Sequence, residues 1–235
     1  MAENETVDEA FLREVDEELR REQMTGWWRR WGRYLLFAVG AGFLALAGYL
    51  WWHEEQTKKA GALAEQLTQA FNDIDAGNDD QAKGKLAALV EARQPGYRAA
   101  ALLTEGDLAL KAQDTAKAAA TFKKVAGDDS LPQPYRDLAL VRQTAAEFDS
   151  LKPEEVIARL KPLAVEGNPW FASAAEMVAI AYLNQNKPEL AGPLFGAIAR
   201  DADTPPTLRA RAGQLAGVLG VDLGEAAGGT PEAVR

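Results

Sequence analysis

The sequence lacks cysteine and has a single histidine among its 235 residues. Without cysteine there can be no disulfide, no thiolate nucleophile and no zinc–thiolate site. The one histidine, His53, has none of the partners that a metal site or a catalytic triad requires. Glycine-rich phosphate loops, nucleophile elbows and metal-ligand spacings are missing as well. We therefore expect no enzyme, no cofactor and no metal.

The sequence also has fewer basic than acidic residues, with 26 Lys and Arg and 35 Asp and Glu, for a formal net charge of −9. Sequence-independent binding of nucleic acid needs a basic surface, so nucleic acid is not an expected partner. Glycine and proline are thinly spread after residue 55, whereas alanine is abundant. Alanine loses the least entropy in a helix and proline breaks it, so this composition predicts an all-α protein.

Residues 34–52 form the one long uncharged run, "YLLFAVGAGFLALAGYLWW". At about 1.5 Å per residue this run covers the hydrocarbon core of a bilayer, roughly 30 Å. Aromatic side chains that prefer the headgroup level lie at both ends: Trp27, Trp28, Trp31, Tyr34, Tyr49, Trp51 and Trp52. A buried core helix would explain the run but not these aromatic belts. Because 33 residues precede the run and no small-residue cleavage site follows it, we interpret it as a permanent anchor rather than a signal peptide.

The basic residues near the two ends of the run predict its orientation. Five arginines precede it, Arg20, Arg21, Arg29, Arg30 and Arg33, against Lys58 and Lys59 after it. The more basic flank stays in the cytoplasm, so the chain after about residue 53 is expected to be translocated, which in a bacterium means the periplasm.

The anchor also carries a face of small residues: Ala38, Ala41, Gly42, Ala45 and Gly48. Such residues let another membrane helix approach closely, and they are also common in spans that stand alone. We predict this face as a contact surface for a neighbouring membrane helix.

Before the anchor, residues 4–24 place Phe11, Val15 and Leu19 four residues apart, with charged residues around them. This spacing predicts a short amphipathic cytoplasmic helix. It is either a docking segment for a cytosolic partner or a solvated helix supported by its own Glu and Arg pairs.

After the anchor, two kinds of polar break alternate along the chain. Tight turns are predicted at 75–80, 111–114, 149–152 and 184–187, and longer Gly or Pro breaks at 92–96, 127–134, 166–169 and 201–206. Alternation of this kind is typical of stacked helical hairpins, of which we predict about four.

A small residue followed four positions later by a large one comes after each tight turn. The pairs are Ala82 and Leu86, Ala118 and Phe122, Val156 and Leu160, and Ala191 and Phe195. Two crossing helices need a small side chain at the crossing and a large one beside it. Gly106 and Ala179, each twelve residues before such a small residue, fall where the first helix meets the second.

These positions resemble the glycine, alanine, phenylalanine and proline positions of a degenerate tetratricopeptide repeat. The second repeat matches with Gly106, Ala118, Phe122 and Pro132, and the fourth with Ala191, Phe195, Pro205 and Pro206. The first and third repeats depart from the pattern: Val156 replaces the alanine, and the usual tryptophan and tyrosine positions are not matched.

The full layout resembles the ancillary SecYEG translocon subunit family of bacterial inner membranes, and "EVDEELRREQ" followed by "WRRWGRY" is similar to its alphaproteobacterial branch. In that family the periplasmic repeats are thought to link the translocon to periplasmic chaperones that receive newly exported proteins. The resemblance implies Sec translocon subunits, periplasmic chaperones or exported clients as partners.

The expected division is a cytoplasmic segment at 1–33, a transmembrane helix at 34–52, a periplasmic tetratricopeptide-repeat-like domain at 57–219 and a disordered tail at 220–235. The tail is predicted to be disordered because it is acidic and rich in glycine.

A solenoid of this type binds through the groove that its first helices line. Transferring the repeat register, the groove would be lined by Leu103, Asp107, Leu110, Val141, Ala145, Phe148, Glu176, Ile180 and Leu183. These side chains are more apolar than basic, so the groove lacks the Lys and Asn set with which some tetratricopeptide proteins hold a C-terminal carboxylate. The alternative is that the same side chains belong to the core.

Two functions fit these features. One is a membrane-tethered adaptor at the export machinery. The other is an envelope scaffold that organises cell-division or outer-membrane assembly proteins. A third reading, in which the cytoplasmic helix binds a regulator and the repeats sense stress, stays open.

Overall fold

The computed structural model describes the backbone of residues 3–224, and the side chains of Gly32, Tyr34 and residues 36–224. Within this part of the chain there are helices, turns and loops but no strand. The helices are α1 (Glu3–Asp75), α2 (Asp79–Val90), α3 (Pro95–Lys111), α4 (Thr115–Ala126), α5 (Gln133–Glu147), α6 (Pro153–Leu160), α7 (Phe171–Asn184), α8 (Pro188–Arg200) and α9 (Pro206–Val218). The all-α prediction is confirmed.

The chain divides into two compact units, residues 1–61 and 62–235. The first unit consists of the larger part of α1, and the second contains the end of α1 together with α2–α9. The expected boundaries at residues 33, 52 and 57 all fall inside the continuous helix α1. The predicted amphipathic stripe Phe11, Val15 and Leu19 lies outside the described side chains.

In the second unit the helices form four hairpins. The end of α1 packs against α2 through Ala70, Leu86 and Leu89 and through an ion pair of Asp73 with Lys85. Helix α3 pairs with α4, α5 with α6, and α7 with α8, while α9 remains as a single additional helix. Proline stands in the first turn of several of these helices, where its missing N–H has no helical partner to lose. The predicted arrangement of about four hairpins is confirmed.

The four small–large pairs lie in the centres of these hairpins. All eight side chains are at most 2% exposed, including Val156, which departs from the repeat pattern. The contact is closest in the second hairpin, where a Cβ added to Gly106 would lie 2.3 Å from Cε1 of Phe122. Gly106 is therefore required by the close approach of α3 and α4.

The position of Gly106 recurs in all four hairpins, twice at residues that sequence reasoning missed. Ala70 and Thr144 are its equivalents in the first and third hairpins, and both are fully buried. The buried hydroxyl of Thr144 donates to the carbonyl of Leu140 at 2.8 Å, so it costs no unsatisfied polar group. A small residue at each crossing lets the two helices of a hairpin pack closely.

The turns within three of the hairpins share one backbone conformation. Gly77, Gln113 and Asn186 have φ of 78°, 61° and 57°, and each lies five residues before the buried small residue of its second helix. The next N–H bonds back to the helix end, as from Asp114 to the carbonyl of Ala109 at 2.9 Å. These bonds satisfy helix carbonyls that would otherwise lack a partner. The third hairpin differs, with a short α6 followed by an irregular connection to α7.

The chain after α9 folds back onto the helices. A Cβ on Gly192 of α8 would lie 2.8 Å from Cγ2 of Val221, and one on Gly213 of α9 would lie 3.6 Å from Cδ1 of Leu223. Leu219, Val221 and Leu223 all pack against the α7–α9 core. Residues 220–224, the first part of the predicted tail, thus contribute two apolar side chains, Val221 and Leu223, that pack against this core. Residues 225–235 lie outside the described residues.

Candidate protein-binding groove

The first helices of successive hairpins form one layer of the repeat domain. Helix α3 contacts α5, and α5 contacts α7. In a solenoid of helical hairpins such a layer provides a continuous surface for a partner. We call the surface formed by the end of α1 with α3, α5 and α7 the groove.

The nine residues predicted to line the groove are not equally accessible. Leu103 and Val141 are 6% exposed and belong to the core, which is the alternative interpretation of these positions. Ala145 is exposed, while Asp107, Leu110, Phe148, Glu176, Ile180 and Leu183 are half-buried. The structure thus places seven of the nine where a partner could reach them.

Large apolar residues recur at one position of the groove. Leu110, Phe148 and Leu183 each follow the small residue of the helix crossing by four positions, and Ile74 occupies the same place in the first hairpin. All four pack against the core while remaining partly exposed. We call these four residues the apolar row.

One groove residue was missed from the sequence. Phe71, at 43% exposure, is the most exposed large apolar residue of the groove. It follows Ala70 directly, as Asp107 follows Gly106. The signal was present, because Ala70 lies twelve residues before Ala82, but groove residues were predicted only for the second, third and fourth repeats.

The two acidic residues among the nine predicted groove residues already have partners. Asp107 accepts a hydrogen bond from the guanidinium of Arg142 on α5. Glu176 accepts from Nε of Arg211 on α9 at 2.8 Å. These pairs join α3 to α5 and α7 to α9, and each places an opposite charge beside the carboxylate.

In the first unit, the large apolar side chains of the anchor that the structure describes are exposed. Between Leu36 and Trp52 their exposed fractions range from 49% to 77%. Nothing lies within 4 Å of a Cβ added to Gly42 or Gly48 on the small-residue face. The described part of α1 is the single helix long and apolar enough to cross a membrane. Trp27, Trp28 and Trp31 of the predicted belt lie outside the described side chains.

The chain just after the apolar run is charged and internally paired. Glu54 pairs with Lys58 at 2.8 Å, and Glu55 with Lys59 at 3.2 Å. The ring of His53 lies 6.0 Å from that of Tyr49, in a tilted arrangement. Among the residues that the structure describes, no group of three or more His, Cys, Asp or Glu side chains could hold a metal ion.

Stacked hairpins with a small–large crossing at every repeat define a helical-repeat protein. The chain belongs to the tetratricopeptide repeat-like domain family, whose model matches residues 25–198. The match includes both the apolar run and all four hairpins.

A curated relative supports the resemblance at the level of the family. The chain is similar to the ancillary SecYEG translocon subunit of Haemophilus influenzae (strain ATCC 51907 / DSM 11121 / KW20 / Rd), with 25% identity over 136 residues. The alignment covers 57% of this chain and 65% of the relative. No solved structure matches the chain.

Proposed function

We propose that this protein is a membrane-tethered adaptor that binds proteins at the Sec translocon of the bacterial inner membrane and links export to periplasmic chaperones. The observation that carries the proposal is the combination, within one family match, of an exposed apolar helix and a tetratricopeptide-repeat-like domain. The relative named as a translocon subunit supports the choice of partner. A tether raises the effective concentration of the repeats near other membrane proteins, so that weak contacts suffice.

The groove supports a role in holding apolar segments of partner proteins. The apolar row offers a partly exposed side chain in each hairpin, and Phe71 extends this surface in the first hairpin. Because Arg142 and Arg211 already bind groove carboxylates, they are poorly placed to hold the terminal carboxylate of a ligand. An exported client or a chaperone with exposed apolar residues fits this surface better than an acidic chain terminus.

The proposed orientation has the N-terminus in the cytoplasm and the repeats in the periplasm. The arginine-rich N-terminal flank supports it, and the pairing of Lys58 and Lys59 with glutamates lowers the free positive charge on the other flank. Protease added to intact spheroplasts should remove the repeats and leave a small protected N-terminal fragment. Protection of the full-length chain would contradict this topology.

Site-specific photo-crosslinking in cells tests the partners. A crosslinker at Ala41 or Ala45 should trap a translocon subunit, and one at Leu110 or Phe148 a soluble periplasmic protein. Phe43, on the opposite side of the anchor, and exposed Ala158 on α6 are the matched control positions. Crosslinks at Ala41 and Ala45 that contain only a second copy of the chain, or only cell-division proteins, would favour the envelope scaffold.

A further inference from the structure

Helix α4 carries three exposed lysines and no acidic residue. The side chains of Lys117, Lys123 and Lys124 make no hydrogen bond or ion pair with the rest of the described chain. This is unusual in a protein with a formal net charge of −9. In the preceding hairpin, Lys83 and Lys85 pair with Asp80 and Asp73 at 2.9 and 2.6 Å.

Small side chains separate these lysines. Ala116 and Ala120 are exposed on the same face of α4, four residues apart. A residue four positions along a helix lies almost directly above the first, so the two alanines form a flat strip bordered by lysines. A partner segment could therefore approach the helix backbone closely while its own side chains reach the lysines.

A cleft of about 320 Å³ adjoins this face, between α2, α3 and α4. It is lined by four uncharged residues, Ala87, Leu108, Ala109 and Ala112, and by four charged residues, Lys83, Glu105, Asp114 and Lys117. A depression that combines apolar and charged side chains can take one anchoring side chain of a partner.

Two acidic residues line the cleft, Glu105 and Asp114, and they restrict what can enter. The side chain of Asp114 accepts a hydrogen bond from the backbone N–H of Lys117 at 3.0 Å. Glu105 is half-buried, and its carboxylate has no hydrogen bond or ion pair in the described chain. Burial raises the pKa of Glu105, while Lys117 and Lys124 act in the opposite direction from longer range. A further carboxylate placed in the cleft would meet this group at close range, whereas an uncharged side chain would not.

We propose that this face of the second hairpin is a second protein-binding surface, which takes an acidic segment of a partner protein. One bulky uncharged side chain of that segment fills the cleft, and carboxylates on either side pair with Lys117, Lys123 and Lys124. None of its residues is among those predicted to line the groove, so the proposal does not depend on what the groove binds. With two independent surfaces, one repeat domain can hold two proteins at once.

A protein segment fits these observations better than an anionic lipid surface. A flat bilayer would reach the lysines, but it would leave the cleft empty and press Glu105 against negative headgroups. A segment with a protruding side chain uses the lysines and the cleft together, and such complementarity of charge and shape is what makes a protein interface specific.

The test uses the full chain in nanodiscs of zwitterionic lipid and a fluorescent nine-residue peptide. In the leucine peptide, the central residue is leucine, and the two residues on each side of it are glutamates. In the alanine peptide, alanine replaces this leucine. The leucine peptide should bind more tightly. Lys117→Glu, Lys123→Glu and Lys124→Glu together should weaken its binding by about tenfold or more, because three favourable charge pairs become repulsive.

The matched control is the triple variant Lys152→Glu, Lys161→Glu and Lys187→Glu, which makes the same charge change at three other exposed lysines. It should bind within about twofold of the unaltered chain, since exposed charges far from the site are screened. Ala87→Trp, which fills the cleft from an exposed position, should bring the leucine peptide down to the affinity of the alanine peptide.

Three results would overturn the proposal. The control triple variant could weaken binding as much as the α4 variant, or the leucine and alanine peptides could bind equally. Phosphatidylglycerol vesicles could bind in an α4-dependent manner while the leucine peptide does not, which would assign the lysines to a membrane surface.

Discussion

Ala118 lies at the crossing of α3 and α4, where its side chain is completely buried. Ala118→Asp would place a carboxylate there without water or a partner, so we expect a loss of at least about 3 kcal/mol in the free energy of unfolding. Thermal unfolding followed by circular dichroism measures this loss. Ala120→Asp, exposed on the same helix, and Ala88→Asp, exposed on α2, should have little effect. An unchanged melting temperature for Ala118→Asp would contradict the repeat register.

Two glycines of neighbouring helices should respond to alanine with opposite signs. Gly106→Ala drives a methyl group into Phe122, so the protein should lose about 2 kcal/mol of stability. Phe122→Leu makes room, and in the double variant the two losses should not add. Gly84→Ala meets nothing within 4 Å on an exposed face of α2, and it should gain about 0.5–1 kcal/mol. Chemical denaturation of these four variants and of the unaltered protein measures the changes in the free energy of unfolding.

Glu105 predicts a pH-dependent stability effect. Burial raises its pKa above the ordinary 4.5, so the folded state holds this proton more tightly than the unfolded state does. Stability contributed by the proton is present in acid and is lost as the pH rises from about the ordinary pKa through the raised one. Glu105→Gln should therefore stabilise the protein more at pH 7 than at pH 4. Chemical denaturation at the two pH values measures the free energy of unfolding. A stabilisation by Glu105→Gln that is larger at pH 4 than at pH 7 would contradict the prediction.

At the scale of the element, the hairpin turns illustrate how backbone geometry can recur with different residues. Gly77, Gln113 and Asn186 occupy one left-handed position, which glycine adopts without strain and asparagine tolerates better than most residues. Gln113 has neither advantage, yet its N–H and that of Asp114 bond to the end of α3. The packed hairpin therefore holds a conformation that the residue itself does not favour.

The segment after α9 acts as a terminal cap of the solenoid. It covers α8 and α9 where a further second helix would pack, and terminal units of repeat domains need such closure. Val221→Asp should remove roughly 1–2 kcal/mol, since Val221 is half-buried and complete burial of such a side chain contributes about 1.5–3 kcal/mol. Val218→Asp, at a position 84% exposed, is the control. Equal melting temperatures for both variants would show that Val221 does not close the core.

At the scale of the whole molecule, the second unit has its own core. Its buried clusters draw on the end of α1 and on α2–α9, and every hairpin contributes a crossing pair. We expect a fragment of residues 62–224 to fold alone as a soluble helical monomer, because each hairpin stacks on its neighbour within the fragment. Far-ultraviolet circular dichroism and analytical ultracentrifugation test this expectation. A spectrum without helix, or obligate aggregation, would contradict it.

The class of this protein can be predicted from its sequence, because local patterns carry that information. The uncharged run of residues 34–52 is recognisable from length and composition alone, and the small–large pairs recur at a spacing that periodicity reveals. Ala82, Ala118, Val156 and Ala191 were all assigned correctly to buried crossings. The burial of Val156, which departs from the repeat pattern, was predicted from its position in the repeat and not from its residue type.

The tertiary structure alone decided which side chains a partner can reach. Leu103 and Val141 share a helix face with accessible groove residues, and they are buried because neighbouring helices cover them. Asp107 and Glu176 are paired with Arg142 and Arg211, which approach them from the neighbouring helices α5 and α9. The cleft beside Glu105 is formed by residues of three helices, and Val221 packs against Gly192 of α8. Exposure, charge pairing and clefts depend on residues that are distant in the chain, so a local pattern in the sequence does not encode them.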